Sequence, residues 1–362
     1  MKQRVKRIFS SLTENVDAVI LMNGEEPNVD LSFLHVTGYE SGLFEGCAAI
    51  LWPDGKSDVI SSALEESCAV GGDSRVIVYA KLAQRGQLLR EALKGVKGLG
   101  INGSGLSVSN LEEIKRAAPG VEIVDVSVVI EKTRLVKDDS EVELVRNACK
   151  IASEVAHDIP DFLEVGMKEY EAAAELSYGM QKKGASSPSF DTISSFGRNS
   201  ADPHHSPNDT VLKNCEFALF DFGAKYRRYC SDITRTFVAS KVKKQQKDMY
   251  GIVLEAQAAG LANIRAGVNG RDVDAAARSI IDRSKSTGTM PHSLGHSLGL
   301  SVHDGGRMAP GVDLPLEKNM ILTVEPGIYI PGYGGVRIED VVRVKENGCE
   351  VLTSASKELT VI

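Results

Sequence analysis

The sequence predicts an α+β protein of two domains: a small α/β domain, then a larger one built from two pseudo-symmetric halves. Three observations predict it. Up to about residue 130, short β-rich runs alternate with segments of helical spacing. The stretch EKTRLVKDDSEVELVRNA, from Glu131, then opens a long amphipathic helix. Beyond it the chain nearly repeats itself, at a period of roughly a hundred residues, which suits two duplicated halves better than a solenoid. The expected domains are residues 1–130 and 131–362, with a linker at about 126–139.

In the first domain DAVILM, GCAAILW, RVIVYA and VEIVDVS read as strands, and AQRGQLLREALK and SNLEEIKRAA as helices. GINGSGLS is glycine-rich but lacks the lysine of a phosphate-binding loop. No residue of this domain points to chemistry. At the boundary, Ser140 followed by Glu143 reads as a capping box, which satisfies orphan amides at a helix start. Val142, Val145, Cys149, Ala152, Val155 and Ile159 then recur at three- and four-residue steps, one buried helix face. The repeat itself is GMKEYEAAAELSYGMQKKG from Gly166 and GVNGRDVDAAARSIIDRSKSTG from Gly267. Each has an opening glycine, a small-residue helical segment around acid-Ala-Ala, and a closing glycine, Gly184 or Gly288. Each follows another helical segment and precedes strands.

Composition narrows the function. The net charge of -7 over 362 residues argues against a nucleic-acid partner. No apolar run reaches the roughly 18 residues of a membrane span. The basic opening MKQRVKRIFSSL leads into neither an apolar core nor a small-residue cleavage site, so no signal peptide is expected. Cys47, Cys68, Cys149, Cys215, Cys230 and Cys349 are scattered without a C-x-x-C, as free thiols in a reducing cytoplasm would be.

The chemistry concentrates in the second domain. FALFDF is apolar on both faces and carries Asp221 mid-strand; a glycine-containing connection leads to a second strand carrying Asp232. If the hairpin turns about Tyr226 and Arg227, these acids lie opposite each other, with Cβ atoms roughly 5 Å apart. Two ionised carboxylates that close repel, and burial adds to the cost. Protonation, cation pairing or a metal relieves the conflict. A plain ion pair of Asp221 with Arg227, Arg228 or Arg235 is an equal alternative for this hairpin alone. The second half repeats the arrangement in MILTVEPGIYIPGYGGVRIEDVVRV, where reflection about PGYGG brings Glu325 nearly opposite Glu339. Chance explains one such pair easily and both poorly. Between the helices of that half and the Glu325 strand lies HSLGHSLGLSVHD, which holds His292, His296 and His303, three of the chain's seven histidines. Four acids and one imidazole suit two divalent first-row metals about 3.5–4 Å apart. His296, flanked by glycine and by SLGL, is the expected ligand. His303 is placed to hydrogen-bond a substrate or an oxyanion. SADPHHSPND adds His204 and His205 in a loop of the first half, with His204 expected to line the cleft.

At these residues the chain resembles the pita-bread metallopeptidases, which include methionine aminopeptidases, Xaa-Pro aminopeptidases and Xaa-Pro dipeptidases. The ordered acid and histidine set, with TVEPGIY and GGVRIED around the glutamates, carries the resemblance from about residue 133 to 362. The first domain and RLVKDDSEVELVRNA resemble the creatinase/prolidase branch. The resemblance implies a pita-bread catalytic domain that holds two divalent ions, manganese or cobalt first, zinc or iron next. It implies metal ligation by Asp221, Asp232, His296, Glu325 and Glu339, with Asp232 and Glu339 bridging. A hydroxide shared by both ions would attack the scissile carbonyl, and Glu325 would move the protons. His303 would stabilise the tetrahedral intermediate, His204 would position substrate, and His292 would line the pocket. Arg337 would brace the site, with a plain strand salt bridge as the alternative. Arg307 would hold a substrate carboxylate, with an ordinary surface arginine as the alternative. The implied activity is hydrolysis of the bond before proline by an Xaa-Pro dipeptidase in a cytoplasmic homodimer; the alternative is an Xaa-Pro aminopeptidase acting on longer peptides. Arg307 and the chain length favour the dipeptidase. A metal-free creatinase-type hydrolase and a non-catalytic binding protein are the remaining readings. The chain departs from the family pattern at Ser297, where many members have glycine, and at Asp304, where many have glutamate.

Overall fold

A computed structural model describes residues 1–284 and 289–362. The chain divides into two compact units, Met1–Arg134 and Leu135–Ile362.

The first unit is built on a six-stranded sheet in the order Arg75–Tyr79, Ser57–Ser62, Ala48–Leu51, Ala18–Met22, Gly98–Ile101, Glu122–Asp125. The Ala18–Met22 strand is antiparallel to Ala48–Leu51 and parallel to Gly98–Ile101. All five of its residues are buried, as an apolar run at the centre of a covered sheet must be. Leu89 and Ile114, from the Leu82–Ala92 and Val108–Ala117 helices, pack onto Ile20, Ile50 and Leu99. Sequence reading missed the Ser57–Ser62 and Gly98–Ile101 strands and the Lys2–Ser11 and Leu31–Thr37 helices.

The second unit opens with the Asp139–Phe162 helix, whose buried face includes Val142, Val145, Cys149, Ala152, Val155 and Ile159. Its cap is not Ser140 with Glu143. Asp138 accepts the Glu141 N–H at 3.0 Å, and Glu141 Oε2 accepts the Asp138 N–H at 2.9 Å. Asp138 takes the capping role because it stands just outside the helix in extended backbone, whereas Ser140 already lies in the first turn and donates its hydroxyl to Asp138.

The repeat is visible in space. Gly166 and Gly267 adopt φ of 104° and 84° and lead into the Glu169–Lys182 and Gly270–Arg283 helices, 14 residues each. Each follows a longer helix, Asp139–Phe162 or Lys244–Asn263, and precedes strands. The closing Gly184 has φ 103°, whereas Gly288 lies outside the described residues. One apolar cluster gathers mainly residues 151–239, with Phe196, Phe220 and Ile233 at its centre. A second gathers mainly residues 249–344, around Val253, Leu294, Leu322 and Val342.

Arg235 ties the halves together. Its Nη1 donates to the Glu339 carbonyl at 2.5 Å, its Nη2 to Asp340 and to the Ala355 carbonyl at 2.8 Å, and its Nε to the Ser356 carbonyl at 2.9 Å. Asp340 also accepts Gln257, Thr353 and Lys357, so this buried pair is fully hydrogen-bonded.

Candidate metal centre

The two acid hairpins meet at one place. In the first half, the Phe217–Phe222 strand pairs with Ile233–Val238 so that Asp221 faces Thr234. The turn is centred on Arg227 and Arg228, both at positive φ, so Asp232 is not directly opposite Asp221. It sits two residues before Thr234, and the period of two keeps both acids on one face as diagonal neighbours. In the second half, Val324 pairs with Asp340 and Gly327 with Arg337, which sets Glu325 opposite Glu339.

The side chains converge. One ligand atom each from Asp232, His296 and Glu339 lies within 4.8 Å of the others, and all three residues are buried. His296 Nε2 stands 3.3 Å from Glu325 Oε1 and 3.7 Å from Asp232 Oδ2. Its Nδ1 donates to the Ser297 carbonyl at 3.3 Å, which fixes the tautomer and turns Nε2 toward the acids. Thr234 Oγ1 donates to Glu339 at 2.7 Å, and Thr323 Oγ1 to Glu325 at 3.0 Å.

The arginine partner of Asp221 is none of those weighed from sequence. Arg337 Nη2 donates to Asp221 Oδ2 at 2.5 Å, Nη1 to the Tyr329 hydroxyl at 2.8 Å, and Nε to Thr234 at 3.0 Å. Tyr329 in turn stands 2.9 Å from His292 Nε2, and His292 Nδ1 donates to the Ser293 carbonyl at 2.8 Å. His292 is therefore the Nδ1–H tautomer, and Tyr329 donates to it.

Electrostatics asks for more positive charge than Arg337 supplies. Burial, with Glu339 and Asp221 close by, pushes the Asp232 carboxyl well above its ordinary value. Burial, with Glu325 and Asp221, does the same to Glu339. Burial raises Glu325 to about 8. His296 is pushed down to about 3 by burial and by His303 beside it, so it is a neutral donor. Asp221 Oδ1 and Asp232 Oδ1 are buried without a hydrogen-bond partner. Orphaned carboxylate oxygens, a neutral imidazole and uncompensated negative charge fit divalent cations.

These groups line a cavity of about 920 Å³. His204, His292, His303 and Arg307 border it, with Phe190, Ile193, Val302 and Val312 as apolar wall. The His303 and His296 rings are 4.3 Å apart and steeply tilted. Burial, His204 and Arg307 lower the His303 imidazole below its ordinary value. Arg307 pairs across the ladder with His296, is exposed, and makes no ion pair among the described residues.

Several contributors escaped sequence reading. Thr234, Thr323 and Tyr329 lie two or four residues from the acids, so the strand period of two was a usable signal. Asp274 and Arg278 were not legible. Asp274 accepts the Leu294 N–H at 3.0 Å, and Arg278 donates to the Met290 and His292 carbonyls, fixing the segment that carries His292. His205 points away from the cavity, to Glu169 at 2.7 Å.

The sequence pattern of metallopeptidase family M24 matches residues 143–346, and that of the creatinase/prolidase N-terminal domain matches residues 4–136. The chain is 35% identical to an Xaa-Pro dipeptidase of Pyrococcus horikoshii over 99% of both chains. It is similar to the structure of an Xaa-Pro dipeptidase from Bacillus anthracis, with TM-score 0.90 and 34% identity over 99% of both chains. It is equally similar to an X-Pro aminopeptidase from Thermotoga maritima, with TM-score 0.90 and 32% identity over 96% of this chain and 98% of that one.

Proposed function

We propose that this chain, which belongs to metallopeptidase family M24 and carries a creatinase/prolidase N-terminal domain, is a metal-dependent Xaa-Pro dipeptidase. The observation that carries the reading is the convergence of Asp232, His296 and Glu339 within 4.8 Å on the wall of the cavity. With Asp221 and Glu325 they would hold two divalent ions, manganese or cobalt by preference. Bound there, the ions supply Lewis acidity: they acidify water and polarise the scissile carbonyl.

The remaining work falls to side chains. Glu325, beside His296 on the cavity wall, is placed to move the protons. Thr323 occupies its Oε1, so the proton is taken up and returned at Oε2. Water oxygen bonds to the carbonyl carbon, the C–N bond to proline breaks, and the water proton passes through Glu325 to the leaving proline nitrogen. His303 donates to the oxygen on which negative charge develops. His204 positions substrate, and Tyr329 and Arg337 hold His292 and Asp221 in place. Arg307, a cation with no carboxylate partner among the described residues, takes the carboxylate of a dipeptide. Proline's nitrogen carries no N–H in the peptide, so the site needs no acceptor there.

Hydrolysis of an Xaa-Pro dipeptide against an Xaa-Pro-Yaa tripeptide, with and without chelator, tests the reading. Preference for the dipeptide with loss of activity in chelator is the expected result. Preference for the tripeptide would favour an Xaa-Pro aminopeptidase, the reading to which the Thermotoga maritima likeness lends weight. Chelator-insensitive hydrolysis would favour a metal-free creatinase-type enzyme, and no hydrolysis with added metal a binding protein. The reading extends to a cytoplasmic homodimer, with the six free cysteines suiting a reducing compartment and the dimer resting on the family resemblance alone. Sedimentation of the purified protein tests the dimer.

A further inference from the structure

We infer that the buried carboxylate of Glu169 is a positioning residue for His204, a role that rests on reading His204 as a residue that touches substrate. Glu169 is the first residue of the Glu169–Lys182 helix and is fully buried. A carboxylate so placed needs partners on both oxygens. Oε1 accepts the Phe196 N–H at 2.7 Å and the Asn199 amide at 3.0 Å. Oε2 accepts the Asn208 N–H at 3.1 Å and the His205 Nε2–H at 2.7 Å. These donors run from residue 196 to residue 208, so one side chain closes the whole loop on itself. The backbone adds two ties, Glu169 N–H to the Thr210 carbonyl at 3.1 Å and Tyr170 N–H to the Asn208 carbonyl at 3.4 Å. Helix-start amides also favour negative charge at this position.

The clamp separates two neighbouring histidines. His205 is drawn inward, with 13% of its side chain exposed. His204 is left on the open side, bordering the cavity beside His292 and His303. None of the four contacts to Glu169 involves an acid of the metal set. Loss of Glu169 therefore acts on His204 and spares the metal.

The experiment is a double-mutant cycle in the manganese-loaded, full-length enzyme on an Xaa-Pro dipeptide. Glu169→Gln is expected to lower kcat/KM by about 10- to 100-fold, with the kcat and KM split of His204→Ala. Metal stoichiometry should be unchanged and hydrogen exchange faster across residues 196–208. In a His204→Ala background the same substitution should cost less than about twofold more. Fully additive losses, lost metal or wild-type kinetics in Glu169→Gln would each overturn the inference. Wild-type kinetics in His204→Ala alone would remove the reading beneath it, and only that result appears in the single His204 variant. Should Glu169→Gln fail to fold, Asn199→Ala and His205→Ala each remove one contact. A loss of about threefold or more that His204→Ala absorbs supports the role, and no loss in either variant overturns it.

Discussion

In the first half of the second unit, Asp221 faces Thr234 across the ladder and Asp232 sits on the diagonal; in the second half Glu325 and Glu339 face each other. The turns differ as well. Tyr333 separates Gly332 and Gly334 in the second turn, and both glycines take the positive φ that costs them nothing. The first turn puts Arg227 at φ 43° and Arg228 at φ 74°, a conformation arginine adopts only against resistance. A threonine backs each acid of the opposed pair. In the offset pair Asp221 is held by Arg337, which reaches Asp221, Thr234 and Tyr329 together. Asp221 and Glu325 each stand five residues before the pair that closes their turn, but Asp232 follows that pair by three residues and Glu339 by five, so the halves differ in where the second acid stands. The result is one pair that needs outside cations and another whose outer member is partly neutralised from within.

The steepest test of this asymmetry removes the inner acids. Asp232→Asn and Glu339→Gln should each lower activity by on the order of a thousandfold or more and reduce bound metal, measured by elemental analysis. Asp221→Asn should be milder, since Arg337 already carries part of its charge; equal losses at all three would erase the distinction. Arg337→Lys keeps the charge but not the three-way fork, and a loss of about 10- to 100-fold in kcat/KM is expected.

A pH titration of the metal-free protein sharpens the same point. Glu325 sits at about 8 when folded against an ordinary 4.5, so folding takes up a proton between those values. Stability should be full below about pH 4.5 as far as this group is concerned, and fall as pH rises through about 8, by roughly 5 °C or more in Tm. The metal-loaded protein should lack this fall, because cations hold the deprotonated form. Parallel curves would count against the acids as ligands.

Arg307→Ala should cost the dipeptide about tenfold in kcat/KM and a tripeptide far less; equal losses would detach Arg307 from the substrate carboxylate. The smallest effect belongs to the turns. Arg227→Asn with Arg228→Gly should raise stability by about 1 kcal/mol in denaturant titration and leave kinetics alone.

The faces of the acids were legible because the period of two survives an error in register. The register of the first hairpin was not, because a left-handed turn of two arginines lacks the glycine or asparagine that usually marks one. His296 stood out through its small neighbours, which admit close packing. The cap at Asp138 was displaced by two residues because several Asp, Ser and Glu spacings compete there, and only packing chooses among them. Glu169 and His205 are 36 residues apart, and Asp274 and Leu294 twenty; no local pattern announces such contacts. The first unit lost two strands to its short, polar SDVISS and its glycine-rich GLGI, which carry little β signal.

Arg235 leans on the carbonyls of Ala355 and Ser356 to hold Glu339 in place. A growing polypeptide makes Asp221, Asp232, His296, Glu325 and Glu339 before it makes those two residues. On the ribosome, then, the donors emerge as a loose set without their brace. Ion capture in the finished geometry waits until that last segment has been translated and folded back.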